Sequence, residues 1–149
     1  MRWTRDTFWI TDDNQAADID FITRELNRTY WAEGRSRDIV EGSVRNSIMF
    51  SLFEGDRPVG FARIVSDYAT FAWLCDVYIH PVYRGQKLGV WLMECVLQHP
   101  STHVRLNLLA TRDAHGLYAK FGYESKDCMA LMNHGAKEKA TDRNLSRKP

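Results

Sequence analysis

Apolar residues recur along the chain with two different periods, and the switches between them mark the elements. Phe8, Trp9 and Ile10 form a short apolar run ending at Thr11-Asp12-Asp13, a strand leading into helix-capping chemistry. Ile19, Ile22 and Leu26 repeat at helical spacing, and after Tyr30-Trp31-Ala32-Glu33-Gly34 a second helix is capped by Ser36 and striped by Ile39, Val40 and Val44. Residues 48–53 predict a strand, turned by Glu54-Gly55-Asp56-Arg57 into another over 58–66. Residues 70–79 predict a third, with Trp73, Cys75, Val77 and Ile79 on one side and Leu74, Asp76 and Tyr78 on the other. Pro81 stops it, and Leu88, Leu92, Cys95 and Val96 stripe a helix over 88–98. A strand over 104–110 follows. Ala114, Leu117, Tyr118 and Phe121 then fall at i, i+3, i+4 and i+7, a one-sided helix closed by Gly122, and residues 123–131 predict a last strand.

This order implies an α/β or α+β sandwich, not a bundle or an all-β barrel. Composition keeps that picture: 149 residues, 44% hydrophobic and 26% charged, suit one domain over 1–132 followed by a polar, flexible tail over 133–149. Twenty Lys+Arg against nineteen Asp+Glu leave a net charge of +1, so no global field recruits nucleic acid or an anionic membrane, and any anion site is local. Cys75, Cys95 and Cys128 are odd in number and widely spaced, which argues against a disulfide framework and a metal site. No stretch approaches the roughly 20 apolar residues of a spanning helix, and Arg2, Arg5 and Asp6 interrupt the first ten residues. A cytoplasmic location is the expectation.

The segment Asp76-Val77-Tyr78-Ile79-His80-Pro81-Val82-Tyr83-Arg84-Gly85-Gln86-Lys87-Leu88-Gly89-Val90 sets a strand, a proline stop, a glycine-bearing turn and a helix start in succession. Unpaired N–H groups and the positive end of the helix dipole converge there, and Arg84 and Lys87 add charge. The spacing matches neither a Walker loop nor a dinucleotide fingerprint. It resembles instead the coenzyme A loop of the GCN5-related N-acetyltransferase (GNAT) family, Arg/Gln-x-x-Gly-x-Gly/Ala, with Arg84, Gly85, Leu88 and Gly89 matching and Lys87 standing where the pattern has its middle glycine. A second stretch, Ala114-His115-Gly116-Leu117-Tyr118-Ala119-Lys120-Phe121-Gly122-Tyr123, is similar to the family's Ala-x-x-x-Tyr-x-x-x-Gly-Phe helix, with Thr111 where asparagine usually stands.

The resemblance implies a mixed, mostly antiparallel central sheet with helices on both faces, and acetyl-coenzyme A as acyl donor with no metal. By the same resemblance the donor is held by Val77, Tyr78 and Ile79 through the backbone, by Arg84, Gly85, Gln86, Lys87, Leu88, Gly89 and Val90 around the pyrophosphate, and by Thr111 and Tyr118. Tyr118 takes the family's general-acid position.

Acetyl transfer to an amine also needs a neutral nucleophile. Holding an alkyl ammonium neutral at pH 7 costs roughly 4–5 kcal/mol, enough to merit a base, for which Asp76 is the candidate; the alternative is a strand aspartate paired to a neighbour. Tyr30, Trp31, Tyr68 and Asp76 are the candidate acceptor contacts, within a region that includes Glu33 and Arg35. The expected partner is a small-molecule or peptide amine, with no nucleic acid or membrane, and a homodimer is compatible. A non-catalytic acyl-coenzyme A sensor or partner-binding module is the alternative, motivated by Lys87 and Thr111.

Overall fold

Two hydrophobic clusters, one against each face of a single sheet, organise the protein in the computed structural model, which describes residues 1–133. The six strands follow chain order across the sheet: β1 (Arg2–Arg5), β2 (Phe8–Thr11), β3 (Ile48–Glu54), β4 (Arg57–Ser66), β5 (Phe71–Ile79) and β6 (Leu106–Leu109). Every pairing is antiparallel except β5 with β6, which is parallel and reached through a crossover containing a helix. The expected mixed, mostly antiparallel sheet with helices on both faces is the fold.

On one face lie α1 (Ile19–Leu26) and α2 (Arg37–Arg45), whose Phe21, Ile22, Leu26, Val40 and Val44 bury against Met49, Phe61 and Tyr78. Asp18 caps α1 by accepting the Phe21 N–H, and Ser36 caps α2 by accepting that of Ile39. The capping chemistry at Asp12-Asp13 serves a different element, since Asp13 caps a one-turn 3₁₀ segment at Asn14–Ala16. On the other face α3 (Leu88–Gln98) buries Leu88, Leu92, Met93, Cys95 and Val96 against Ile10, Phe50, Leu52, Ala62 and Ile64. Each such side chain contributes about 1.5–3 kcal/mol by leaving water.

The two-residue alternation expected along β5 does not survive its middle. Phe61 pairs with Tyr78 but Arg63 pairs with Cys75, so Asp76 and Val77 together oppose Ala62: a β-bulge, with Asp76 at φ 49. Aspartate tolerates that left-handed conformation better than most residues. Before the bulge Leu74 belongs to the α3-side core, whereas after it Tyr78 belongs to the α1/α2-side core, and Val77 and Ile79 pack toward α3.

Three boundaries also differ from expectation. β1 is an additional strand, joined to β2 by a turn through Asp6 at φ 52; its only large apolar residue, Trp3, packs on Phe50. The last helix, α4 (His115–Ala119), is shorter than predicted. Residues 123–131 form no strand: Glu124, Lys126 and Asp127 break the apolar run, Met129 and Leu131 are exposed, and no neighbouring strand pairs with them among the described residues. The expected polar tail lies, from residue 134 on, outside the described residues. Among the described residues no helix is long and apolar enough to cross a membrane.

Gly60 pairs with Ile79 across β4 and β5, and a Cβ there would sit 2.8 Å from the Tyr78 carbonyl oxygen and 2.8 Å from Ile79 Cδ1. Backbone cannot yield as a side chain can, so Gly60→Ala is expected to lower stability by about 1–3 kcal/mol in urea unfolding. Gly116→Ala, with nothing within 4 Å, is expected instead to raise stability by about 0.5–1 kcal/mol through the α4 backbone.

Candidate active site

β6 accompanies β5 only from Phe71 to Leu74. Beyond Leu74 that edge of β5 has no strand beside it among the described residues, and the space it leaves is a cleft of ≈ 1300 Å³ running from the start of α3 to the loop between α1 and α2. The bulge sits at the divergence.

At one end are Arg84, Gly85, Lys87, Leu88, Gly89 and Val90. Residues 88–90 open α3, so their N–H groups have no intrahelical acceptor, and the N-cap residue Lys87 makes no side-chain cap. Gly85 adopts φ 83 and Lys87 φ 60, the left-handed conformation that glycine takes freely and lysine at a cost of about 1–2 kcal/mol. The lysine in the pattern's glycine position thus keeps the glycine backbone. A Cβ on Gly89 would meet only Ile79 Cγ1, at 3.7 Å, so internal packing does not require this glycine. Arg84 Nε donates to the Ile79 carbonyl at 3.0 Å, fixing the loop to the strand end. Gln86 does not line the cleft; its carbonyl accepts Arg5 Nη2 at 3.0 Å, so β1 braces this loop from behind.

In the middle, Val77, Tyr78 and Ile79 bring the unaccompanied β5 backbone to the cleft, facing Thr111 and Tyr118. The Tyr78 hydroxyl turns away, donating to the buried Glu25 at 2.7 Å. Thr111 Oγ1 accepts the Ala114 N–H at 3.0 Å, which leaves its own hydroxyl proton to donate. Tyr118 is half-buried beside Tyr123, at a ring separation of 6.0 Å. Burial first, then Tyr123, Tyr30 and Asp113, push its pKa up to about 12, so the phenol is protonated throughout the neutral range. Burial likewise raises the Cys75 thiol, leaving little thiolate at pH 7.

At the far end Tyr30 and Trp31 form a wall, edge to face at 5.1 Å, and the Arg112 guanidinium lies 3.8 Å over the Tyr30 ring while the Arg112 backbone N–H donates to the Tyr30 hydroxyl at 3.1 Å. Asp76 lies beneath. Its Oδ1 accepts Trp31 Nε1 at 3.1 Å and Arg35 Nη1 at 3.2 Å, while Oδ2 accepts Arg35 Nη1 at 3.1 Å and Arg63 Nε at 2.8 Å. The candidate base is therefore an ion-paired aspartate with its acceptor positions occupied. Burial would raise its pKa, but Arg63 and Arg35 outweigh burial and hold the carboxyl below its ordinary value. Tyr68 is elsewhere, edge-on to His99 at 6.4 Å and outside the cleft lining.

Sequence reasoning missed Arg63, whose signal was a lone charge inside the apolar run of β4, and Arg28 and Arg112, which line the cleft from loops without a motif.

Residues 45–125 match the family model described as Acetyltransferase (GNAT) domain. The chain belongs to the GNAT family. A GNAT-family protein of Xanthomonas campestris pv. campestris, named as an acetyltransferase, has a solved structure 38% identical to this chain, covering 87% of it and 95% of the relative at a TM-score of 0.82. A Gibberella zeae protein that also bears an acetyltransferase name is 28% identical over 142 residues, 80% of each chain. Glucosamine-6-phosphate N-acetyltransferase of Arabidopsis thaliana, 14% identical, covering 86% of this chain and 99% of its own at a TM-score of 0.66, shares the fold alone. The match to the family model spans β3 to α4, and Tyr30, Trp31 and Arg35 lie before its first matched residue.

Two measurements probe the charged and strained positions. Asp76 and Glu25 both have folded-state pKa values below their ordinary ones; for Glu25 burial opposes the shift, and Tyr78 together with Arg24 and Arg28 overcomes it. Their stabilisation is complete above the unfolded carboxyl values near 4 and is lost as pH falls through the lower folded values. Asp76→Asn is expected to cost about 3 kcal/mol in urea unfolding at pH 7, with the gap to wild type narrowing below about pH 4. Lys87→Gly is expected to raise stability by about 0.5–1 kcal/mol in the same assay, the relieved left-handed strain exceeding glycine's backbone entropy.

Proposed function

We propose that the chain transfers the acetyl group of acetyl-coenzyme A to a primary amine of a small molecule or peptide, by direct attack within a ternary complex. The observation that carries it is the meeting, in one cleft, of an uncapped helix start flanked by Arg84 and Lys87, an unaccompanied strand edge at Val77–Ile79, and a protonated phenol at Tyr118. The first suits a pyrophosphate, the second an extended amide-bearing arm, and the third a thiolate leaving group.

In this reading the amine nitrogen bonds to the acetyl carbonyl carbon, the carbon–sulfur bond breaks, and the sulfur takes the proton of the Tyr118 hydroxyl. The new amide sheds its extra proton through cleft water, which restores the phenol. Free N–H groups of β5 stabilise the oxyanion. Asp76 acts as a positioning residue: with its lone pairs committed to Trp31, Arg35 and Arg63, it orients those three side chains.

Tyr118→Phe is expected to lower kcat by about 10²–10³-fold, measured as thiol release from acetyl-coenzyme A with an accepted amine, while acetyl-coenzyme A affinity changes less than about twofold. Unchanged kcat removes the phenol from the chemistry. Tight acetyl-coenzyme A binding without thiol release across amino acids, amino sugars, polyamines and peptides would identify a sensor.

A further inference from the structure

The far end of the cleft carries an uncompensated positive charge. Two guanidiniums, Arg35 and Arg63, converge on a single carboxylate, and all three groups are largely buried, with side-chain exposures of 23%, 14% and 4%. Asp76 engages Arg35 through Nη1 and Arg63 through Nε; the other N–H groups of both guanidiniums find no acceptor among the described residues, although both side chains line the cleft. Arg28 and Arg112 reach the same end. Arg28 is offset by Glu25 at 3.3 Å, and Arg112 lies over Tyr30. Of the carboxylates lining the cleft, Asp76 is saturated by its three donors, leaving Asp113, which is exposed on the loop before α4.

An ammonium group entering here meets net positive charge and no free buried carboxylate. A carboxylate or phosphate meets unpaired guanidinium edges in a partly desolvated setting, where charge-assisted hydrogen bonds are strong. We infer that the acceptor is an amine that also carries an oxyanion, a carboxylate or phosphate held by Arg35 and Arg63, and not a polyamine, an aminoglycoside or a lysine-rich peptide. Pairing that oxyanion with Arg35 and Arg63 also weakens its hold on the substrate's own ammonium proton, which favours the neutral nucleophile. Asp76 holds the two guanidiniums in place and limits their excess to a single charge.

This rests on the acetyl transfer proposed above, and matched substrate pairs separate the two. Wild-type protein is assayed for thiol release with glycine against glycinamide, β-alanine against β-alaninamide, and glucosamine 6-phosphate against glucosamine, with spermidine as the polycationic arm. The expected result is kcat/KM at least about tenfold higher for the anionic member of one or more pairs, with spermidine below every anionic substrate that is turned over; which pair responds distinguishes carboxylate from phosphate. Arg35→Gln and Arg63→Gln are each expected to pull that ratio toward one, a change that general loss of folded protein would not produce. Equal or better turnover of the uncharged or polycationic amines overturns the inference and leaves acetyl transfer standing. Absence of thiol release with every amine overturns both.

Discussion

One extra residue in β5 sets the geometry on which the cleft depends. Without the bulge opposite Ala62, the two-residue alternation would put Leu74 and Tyr78 on one face. With it, the strand changes which core each side chain enters, parts from β6 after Leu74, and brings Val77–Ile79 to the cleft. The conformation at Asp76 is uncommon for a non-glycine residue and is held by hydrogen bonds to three side chains from two other parts of the chain. Trp31 and Arg35 come from the α1–α2 connection and Arg63 from β4. The contact that secures the bulge thereby also ties the far wall of the cleft to the sheet.

The network is costly as well as organising. Taking a carboxylate and two guanidiniums largely out of water carries a desolvation penalty of several kcal/mol per ion, which one anion between two cations does not fully repay. A cluster with surplus charge is therefore a weak device for stability alone. It becomes economical when a ligand supplies the missing charge, because the protein then holds donors already oriented and partly dehydrated. Glu25 shows the contrasting arrangement: its carboxylate takes Tyr78, Arg24 and Arg28, two arginines that are mostly exposed, so water screens the excess there.

Much of the fold was legible because the elements announce themselves by period. The stripes of α1, α2 and α3, the Glu54–Arg57 turn and the crossover from β5 through α3 were readable from spacing, and the glycine-bearing turn before α3 from the succession of strand, proline, glycine and helix. The illegible parts depended on partners distant in sequence. β1 carries one large apolar residue and is a strand because β2 pairs with it. Residues 123–131 have strand-like composition at one end only and lie beside no strand. The bulge left no local signal, since an aspartate at a positive φ reads in sequence like any other aspartate. For the same reason Asp76 could be singled out as a carboxylate in the right strand, while the arginines that decide its chemistry, 41 and 13 residues away, remained invisible as its partners.

The two ends of the cleft present hydrogen-bond donors of different kinds. At the α3 start the donors are backbone N–H groups, fixed by the helix and set by a chain path that passes through Gly85, Gly89 and the left-handed Lys87. At the opposite end the donors are side chains, two of them positioned by Asp76, and Arg35 with Trp31 lies outside the matched domain. Side chains can change while the sheet stays as it is. Backbone donors at one end and side-chain donors at the other, separated by one bulged strand, let the second set vary without disturbing the first.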